Sequence, residues 1–187
     1  MMDDTTTAQT GSDAHAGDLF TPTDRLRMTA CASPIDLSAF DIPHDDPFVC
    51  RTTVENWQTS GVIPHVSNIL YVAWLDRAAQ LHSDSLGYTR KWLLERQMMW
   101  FVGRHEIDYL AEAWVDDELL VITWVRNMRR VKSWRDYVIV RPGDKTVIAR
   151  AATLWVLVDL DSRRPRRVDA EMIRLFAPLH EREARDG

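Results

Sequence analysis

Residues 69–75 read Ile69, Leu70, Tyr71, Val72, Ala73, Trp74, Leu75, with no charged or amide side chain among them. Seven residues are almost two helical turns, so a helix here is apolar around its whole circumference. Such a helix has no face for water and has to be surrounded. Ser67 can cap its start and Gly87 is a natural stop, which predicts a helix over 67–86. Whatever the rest of the chain does, it must cover this rod.

The flanking segments have the patterns to do so. FVCRTTVENWQ places Phe48, Cys50, Thr52 and Val54 on one face, the alternation of a strand, and the loop TSGVIP follows. After the long helix, RKWLLERQ reads as a short helical bridge. MMWFVGRHEIDYLA alternates Arg104, Glu106 and Asp108 against Phe101, His105, Ile107 and Tyr109. ELLVITWVRN and KSWRDYVIVR form a hairpin around a polar turn near Met128–Arg130. PGDK marks another turn. TVIARAATLWVLVDLD is apolar on both faces toward its end, which predicts a central strand. SRRPRR is a basic loop, and Asp169 caps a last helix. One long helix followed by four antiparallel strands is an α+β domain. The economical arrangement is a long central helix wrapped by a curved antiparallel sheet.

At 187 residues the chain has room for one domain with a sizeable core. Residues 1–46 form an acidic arm, with nine Asp and two Arg against a whole-chain net charge of −5. The remainder, a domain over 47–180 and a charged tail over 181–187, is therefore close to neutral. That charge argues against nucleic acid as a partner. The first seventeen residues have the composition of a disordered segment. With no basic region and no apolar run, they predict neither a secretory signal nor a transit peptide. No stretch has the apolar length of a membrane span. Two cysteines, Cys31 and Cys50, are too few for a disulfide framework and fit a cytoplasmic protein. No metal-ligand spacing, Gly-x-Ser-x-Gly elbow or phosphate loop occurs.

Three stretches together resemble the hotdog-fold acyl thioesterases, the 4-hydroxybenzoyl-CoA thioesterase-like group. GVIPHVSNILYVAWLDRAA is similar to that family's Asp-x-x-Gly-His-Val-Asn-Asn-x-x-Tyr segment, with His65, Val66, Asn68 and Tyr71 in register. IDYLAEAWVDDELLVITWV resembles its strand pair around Gly-Asp-x-Leu, and ARAATLWVLVDLDSRRPRRVDAEM its last strand and basic ending. The resemblance implies a hotdog fold and a homodimer, possibly paired into a tetramer. It also implies acyl-CoA or acyl-carrier-protein thioesters as ligands and no cofactor. The chain departs from the family at one position. Gly61 stands where the family carries its Asp, and a glycine supplies no proton-transfer group.

Hydrolysing a thioester requires a polarised carbonyl, an activated water and a departing thiolate. A helix N-terminus offers free amides and partial positive charge to a developing oxyanion, which points to the backbone over Val66–Ile69, with Val66 and Ser67 among the substrate-binding residues. His65 can hydrogen-bond carbonyl or water, or cap the helix as a loop histidine. Asn68 can orient water or cap the helix, but an amide is no general base. Tyr71 fits a core or interface ring better than a reacting hydroxyl. Asp76, eight residues beyond Asn68, is the candidate base, and an ion pair with an arginine is its structural alternative. Glu55 is a second carboxylate, expected to face solvent. Trp57 and Trp74 border the motif and either line an acyl tunnel or build core. Arg163 and Arg164, with Arg166 and Arg167, match phosphate oxygens or form a solvated surface. Arg126, Arg129 and Arg130 read as surface, and His105 as a core histidine sharing a face with Phe101 and Ile107. The leading expectation is an acyl thioesterase. The alternative is a non-catalytic acyl-thioester binder or scaffold that has lost the catalytic acid.

Overall fold

The computed structural model describes residue 23 and residues 26–60 and 63–179. The first residues of the arm, Gly61 and the tail over 181–187 lie outside the described residues. Six strands make one sheet: β1 (Thr29–Ala30), β2 (Phe48–Thr53), β3 (Met98–Tyr109), β4 (Glu118–Arg129), β5 (Lys132–Arg141) and β6 (Thr146–Asp159). Their order is β1-β2-β4-β5-β6-β3, and every pair is antiparallel. Helix α1 (Asn68–Ser85) lies on the concave face, α2 (Arg90–Glu95) leads into β3, and α3 (Ala170–Phe176) follows β6. This is the hotdog arrangement.

The main core is the seam between α1 and the sheet. Tyr71, Trp74, Leu75 and Ala78 of α1 pack on Leu119, Val121, Ile139 and Ala149. A second cluster gathers Tyr88, Leu93, Met128, Met172 and Phe176 beyond the end of α1. A third lies on the sheet's outer face. Leu120, Ile122, Trp124, Val138 and Val140 point away from α1, and Ile35, Leu37, Phe40 and Ile42 of the arm cover them. Strands buried on both faces read as unbroken apolar runs, which explains the texture of ELLVITWV and YVIV.

Helix α1 starts and stops as its flanking residues dictate. Ser67 occupies the N-cap position, although its hydroxyl accepts no capping bond. At the other end Gly87 adopts φ +85°. Its amide bonds the Asp84 carbonyl at 3.0 Å, and Tyr88 N–H bonds Ser83 O at 2.9 Å. That is the Schellman pattern, and a residue with no Cβ closes it without strain.

Three expectations need correcting. The apolar helix is not surrounded within one chain. One side is buried, but Val72 and Ala73 are half-exposed and Ile69 is 77% exposed. Strand β6 has neighbours on both sides, but the middle of the sheet is β4 and β5. His105 and Phe101 do not share a face. A bulge between Val102 and Arg104 inserts an unpaired residue, so Phe101 opposes Val156 while His105 opposes Thr153. An extra residue inverts the alternation, and nothing in the apolar pattern announces it. The arm also contributes β1, which pairs with β2 through Thr29↔Arg51 and Ala30↔Cys50.

Candidate active site at the start of helix α1

The chain reaches α1 through a tightly tied loop. Asn56–Gln58 form a 3₁₀ turn, and the carbonyl of buried Gln58 accepts the Ser67 amide at 3.0 Å. Val66, fully buried, donates its amide to Ala113 O at 2.9 Å, and His65 bridges to Trp114. The loop between β3 and β4 therefore fixes where α1 begins.

The tip itself has spare hydrogen-bonding capacity. Leu70 N–H turns back to Ser67 O at 2.9 Å. Among the described residues, the Asn68 and Ile69 amides have no acceptor. Both residues are exposed, and the Asn68 carboxamide makes no hydrogen bond there. The His65 ring stands edge-on to Trp114, 6.4 Å between centroids, and its buried Nδ1 has no partner. The positive end of an 18-residue helix thus carries two amides and a carboxamide with no protein partner, and His65, with an unpartnered ring nitrogen, lies just before it in the chain. A developing negative charge on oxygen is what such a cluster stabilises.

The other expected residues are distributed differently. Tyr71 is buried one turn in, against the rings of Trp74 and Tyr109. Burial, and then the neighbouring Tyr109, push its hydroxyl up to about 12. It therefore stays protonated, as a packing ring rather than a base. Trp74 is wholly buried core. Trp57 is at the surface and donates Nε1–H to Glu55 Oε2 at 2.7 Å, while Glu55 also pairs with Arg27 at 3.3 Å. Asp76 lies about 12 Å along the axis from Asn68, at 1.5 Å per residue. It pairs with Arg90 at 3.3 Å and accepts from Thr23 at 3.5 Å. Asp117, on the loop that ties down the tip, is held by Arg141 at 2.7 Å and accepts from the Trp114 amide.

Arg163 and Arg164 are exposed at the opposite pole. Strand β6 starts near the α1 tip, with the Leu110 amide on Ile148 O, and runs away from it to Asp159, whose amide meets Arg164 O. The hairpin arginines share this pole, since Val168 N–H bonds Arg130 O at 2.7 Å.

A cavity of about 100 Å³ lies along the second half of α1 rather than at its tip. Asp76, Arg90, Trp100, Arg135, Trp155 and Phe176 contribute to its wall. Arg135 went unremarked in the sequence, although the signal was legible. Alternation along KSWRDYVIV puts it on the same face as Ser133, Tyr137 and Ile139, toward the core. His82 accompanies it, accepting from Arg135 Nη1 at 2.8 Å and stacking on Phe48. Burial, then the Arg135 charge, depress His82 to about 2, so it is a neutral acceptor.

The comparisons with known proteins agree with this architecture. The chain is 24% identical over 153 residues to a chloroplastic oleoyl-acyl carrier protein thioesterase of Arabidopsis thaliana, covering 81% of this chain and 40% of that protein. It thus spans about two-fifths of the plant relative's length. Over 119 residues it is 28% identical to the acyl-CoA thioesterase YbgC of Haemophilus influenzae, covering 63% of this chain and 84% of YbgC. A 1,4-dihydroxy-2-naphthoyl-CoA thioesterase from Synechocystis superposes with a TM-score of 0.66 at 19% identity, over 72% of this chain and 98% of that one. A family model described as the acyl-ACP thioesterase N-terminal domain matches residues 64–176, from the His65 loop through α3. With more than half its length matched, the chain belongs to the acyl-ACP thioesterase family.

Proposed function

We propose that this protein hydrolyses acyl-CoA or acyl-carrier-protein thioesters, as a homodimer and in the cytoplasm. The observation that carries the reading is the α1 tip, where the Asn68 and Ile69 amides are unpaired beside the free groups of His65 and Asn68. The amides would receive the thioester oxygen as negative charge builds on it. His65 and the Asn68 carboxamide would hold the thioester and the attacking water. Water adds to the carbonyl carbon, a base takes its proton, and the C–S bond breaks as the thiolate leaves and is protonated.

Asp76 is the base in this reading. About 12 Å separates it from Asn68 in one chain, too far for a single water to bridge. It can therefore serve a thioester held at the tip only from a second chain.

Two features favour that second chain. Strand β3 is a twelve-residue edge that exposes Phe101, Val102 and Tyr109, with exposed Leu110 just beyond its end. An open apolar edge is a template for pairing. Ile69 is left uncovered in the single chain, forgoing about 1.5–3 kcal/mol of burial. Antiparallel pairing of two β3 strands would lay the start of one against the end of the other. The start adjoins the arginine pole, as the Leu160 amide bonds Gln97 O; the end adjoins the α1 tip, as Tyr109 packs on Tyr71. Arg163 and Arg164 would then meet the phosphates of a ligand bound at the other subunit's tip. Val66, Ser67 and Trp57, expected at the substrate, are engaged within the fold: the Val66 and Ser67 amides donate to the Ala113 and Gln58 carbonyls, and Trp57 donates to Glu55. The two free cysteines are in keeping with a reducing compartment.

Thiol release from short, long and aromatic acyl-CoA and acyl-carrier-protein substrates tests the reading. His65→Ala and Asn68→Ala should each lower kcat/KM by about 10²–10³, and Asp76→Asn should lower kcat while the melting temperature holds. No release from any substrate defeats the proposal. Tight acyl-CoA binding without turnover would establish the non-catalytic binder instead.

A further inference from the structure

A guanidinium in the concave face of this sheet is chemically out of place. Arg135 is 4% exposed. Its Nη1 donates to His82 Nδ1 at 2.8 Å and reaches Thr123 Oγ1 at 3.4 Å, and both partners are neutral. Its Nε and Nη2 edge makes no hydrogen bond with any described residue. That edge is the fork that grips a carboxylate with two parallel bonds. Phe176 sits beside the guanidinium, its ring centroid 5.7 Å from Cζ. Two carboxylates share the cavity wall, but neither forms an ion pair with Arg135. Asp76 is held by Arg90, and Asp84 has an interaction of its own. A buried arginine remains charged, and the cost of removing it from water is recovered only when an anion meets it.

The rest of the wall is mixed, with Gln80, Ser83 and Arg90 among its polar members and an apolar portion beside them. Trp100, Met128, Trp155 and Phe176 suit a methylene chain, and Ser133 adds a hydroxyl on the same face as Arg135. A neutral acyl chain ending here would cover the guanidinium without pairing it. We infer that Arg135 is a specificity-determining residue, and that the cavity takes acyl groups ending in a second carboxylate. This rests on the thioesterase reading above and names its acyl group.

The test uses matched CoA thioesters: butyryl with succinyl, hexanoyl with adipyl, octanoyl with suberyl, palmitoyl with hexadecanedioyl. At one or more lengths the purified full chain should favour the diacid partner about ten- to hundredfold in kcat/KM. Arg135→Met should reverse that ratio, and Arg135→Lys, which keeps charge but loses the fork, should fall between. Arg135→Gln replaces the methionine variant if that fails to fold. A calorimetric titration with adipate, suberate and hexadecanedioate should show binding to wild type and none to the neutral variants. Preference for the neutral acyl group at every length overturns the inference, as does a ratio unchanged by removing the Arg135 charge. Absence of all turnover would defeat the thioesterase reading alone, because the titration still reports on the anion site. Absence of turnover and of diacid binding would defeat both.

Discussion

His82 shows how one half-buried residue makes the fold depend on pH. Its Nδ1 must keep a lone pair to accept the Arg135 proton, and a second charge beside that guanidinium would be repelled. In the folded chain it protonates only near 2, whereas an unfolded histidine protonates near the ordinary 6.5. Below pH 6.5 the unfolded state therefore binds the extra proton and the folded state does not. Stability is full above that pH and falls as pH drops, by roughly 1.4 kcal/mol per pH unit for one such group. Melting curves between pH 8 and pH 4.5 should show this decline. His82→Gln, which cannot titrate, should flatten it while lowering the plateau. An unchanged slope would mean that His82 protonates in the fold. Arg135 itself was readable from alternation, since an arginine in phase with Tyr137 and Ile139 points into a core. The freedom of its Nε–Nη2 edge was not readable, because that depends on Thr123 and His82, twelve and fifty-three residues away.

Among the elements, α1 is the best specified by its own sequence. Its final turn depends on Gly87, whose positive φ would strain any side chain, although a Cβ there would meet no neighbour within 4 Å. The cost of Gly87→Ala is therefore a backbone term alone, about 1 kcal/mol. The melting temperature should fall by about 2–4 °C with catalysis untouched, and a larger fall would indicate that the α1–α2 connection also rearranges. Ser67 and Gly87 could be recognised in the sequence because cap signals are local. The bulge in β3 could not, since an extra residue leaves the types of its neighbours unchanged. Nor could β1, because two residues are too short a run to show alternation. The candidate site was legible in its tip residues, His65 and Asn68, whose signals lie within a few residues of each other. It was not legible in how far Asp76 and Arg163 stand from that tip, which is set by strand direction.

For the whole molecule, the proposed dimer rests on the β3 edge and on Ile69, which is exposed in the single chain. Placing like charges on that edge should prevent pairing. The double variant Phe101→Lys with Val102→Lys should sediment as a monomer and lose most thiol release, with its far-UV spectrum preserved. A wild-type chain that is monomeric and fully active would remove the need for a partner at the site. The opposite side of the sheet is a different matter. There the chain has already laid its own Ile35, Leu37, Phe40 and Ile42 over Trp124 and its neighbours. Any larger assembly built by stacking two such sheets back to back would first have to peel that blanket away.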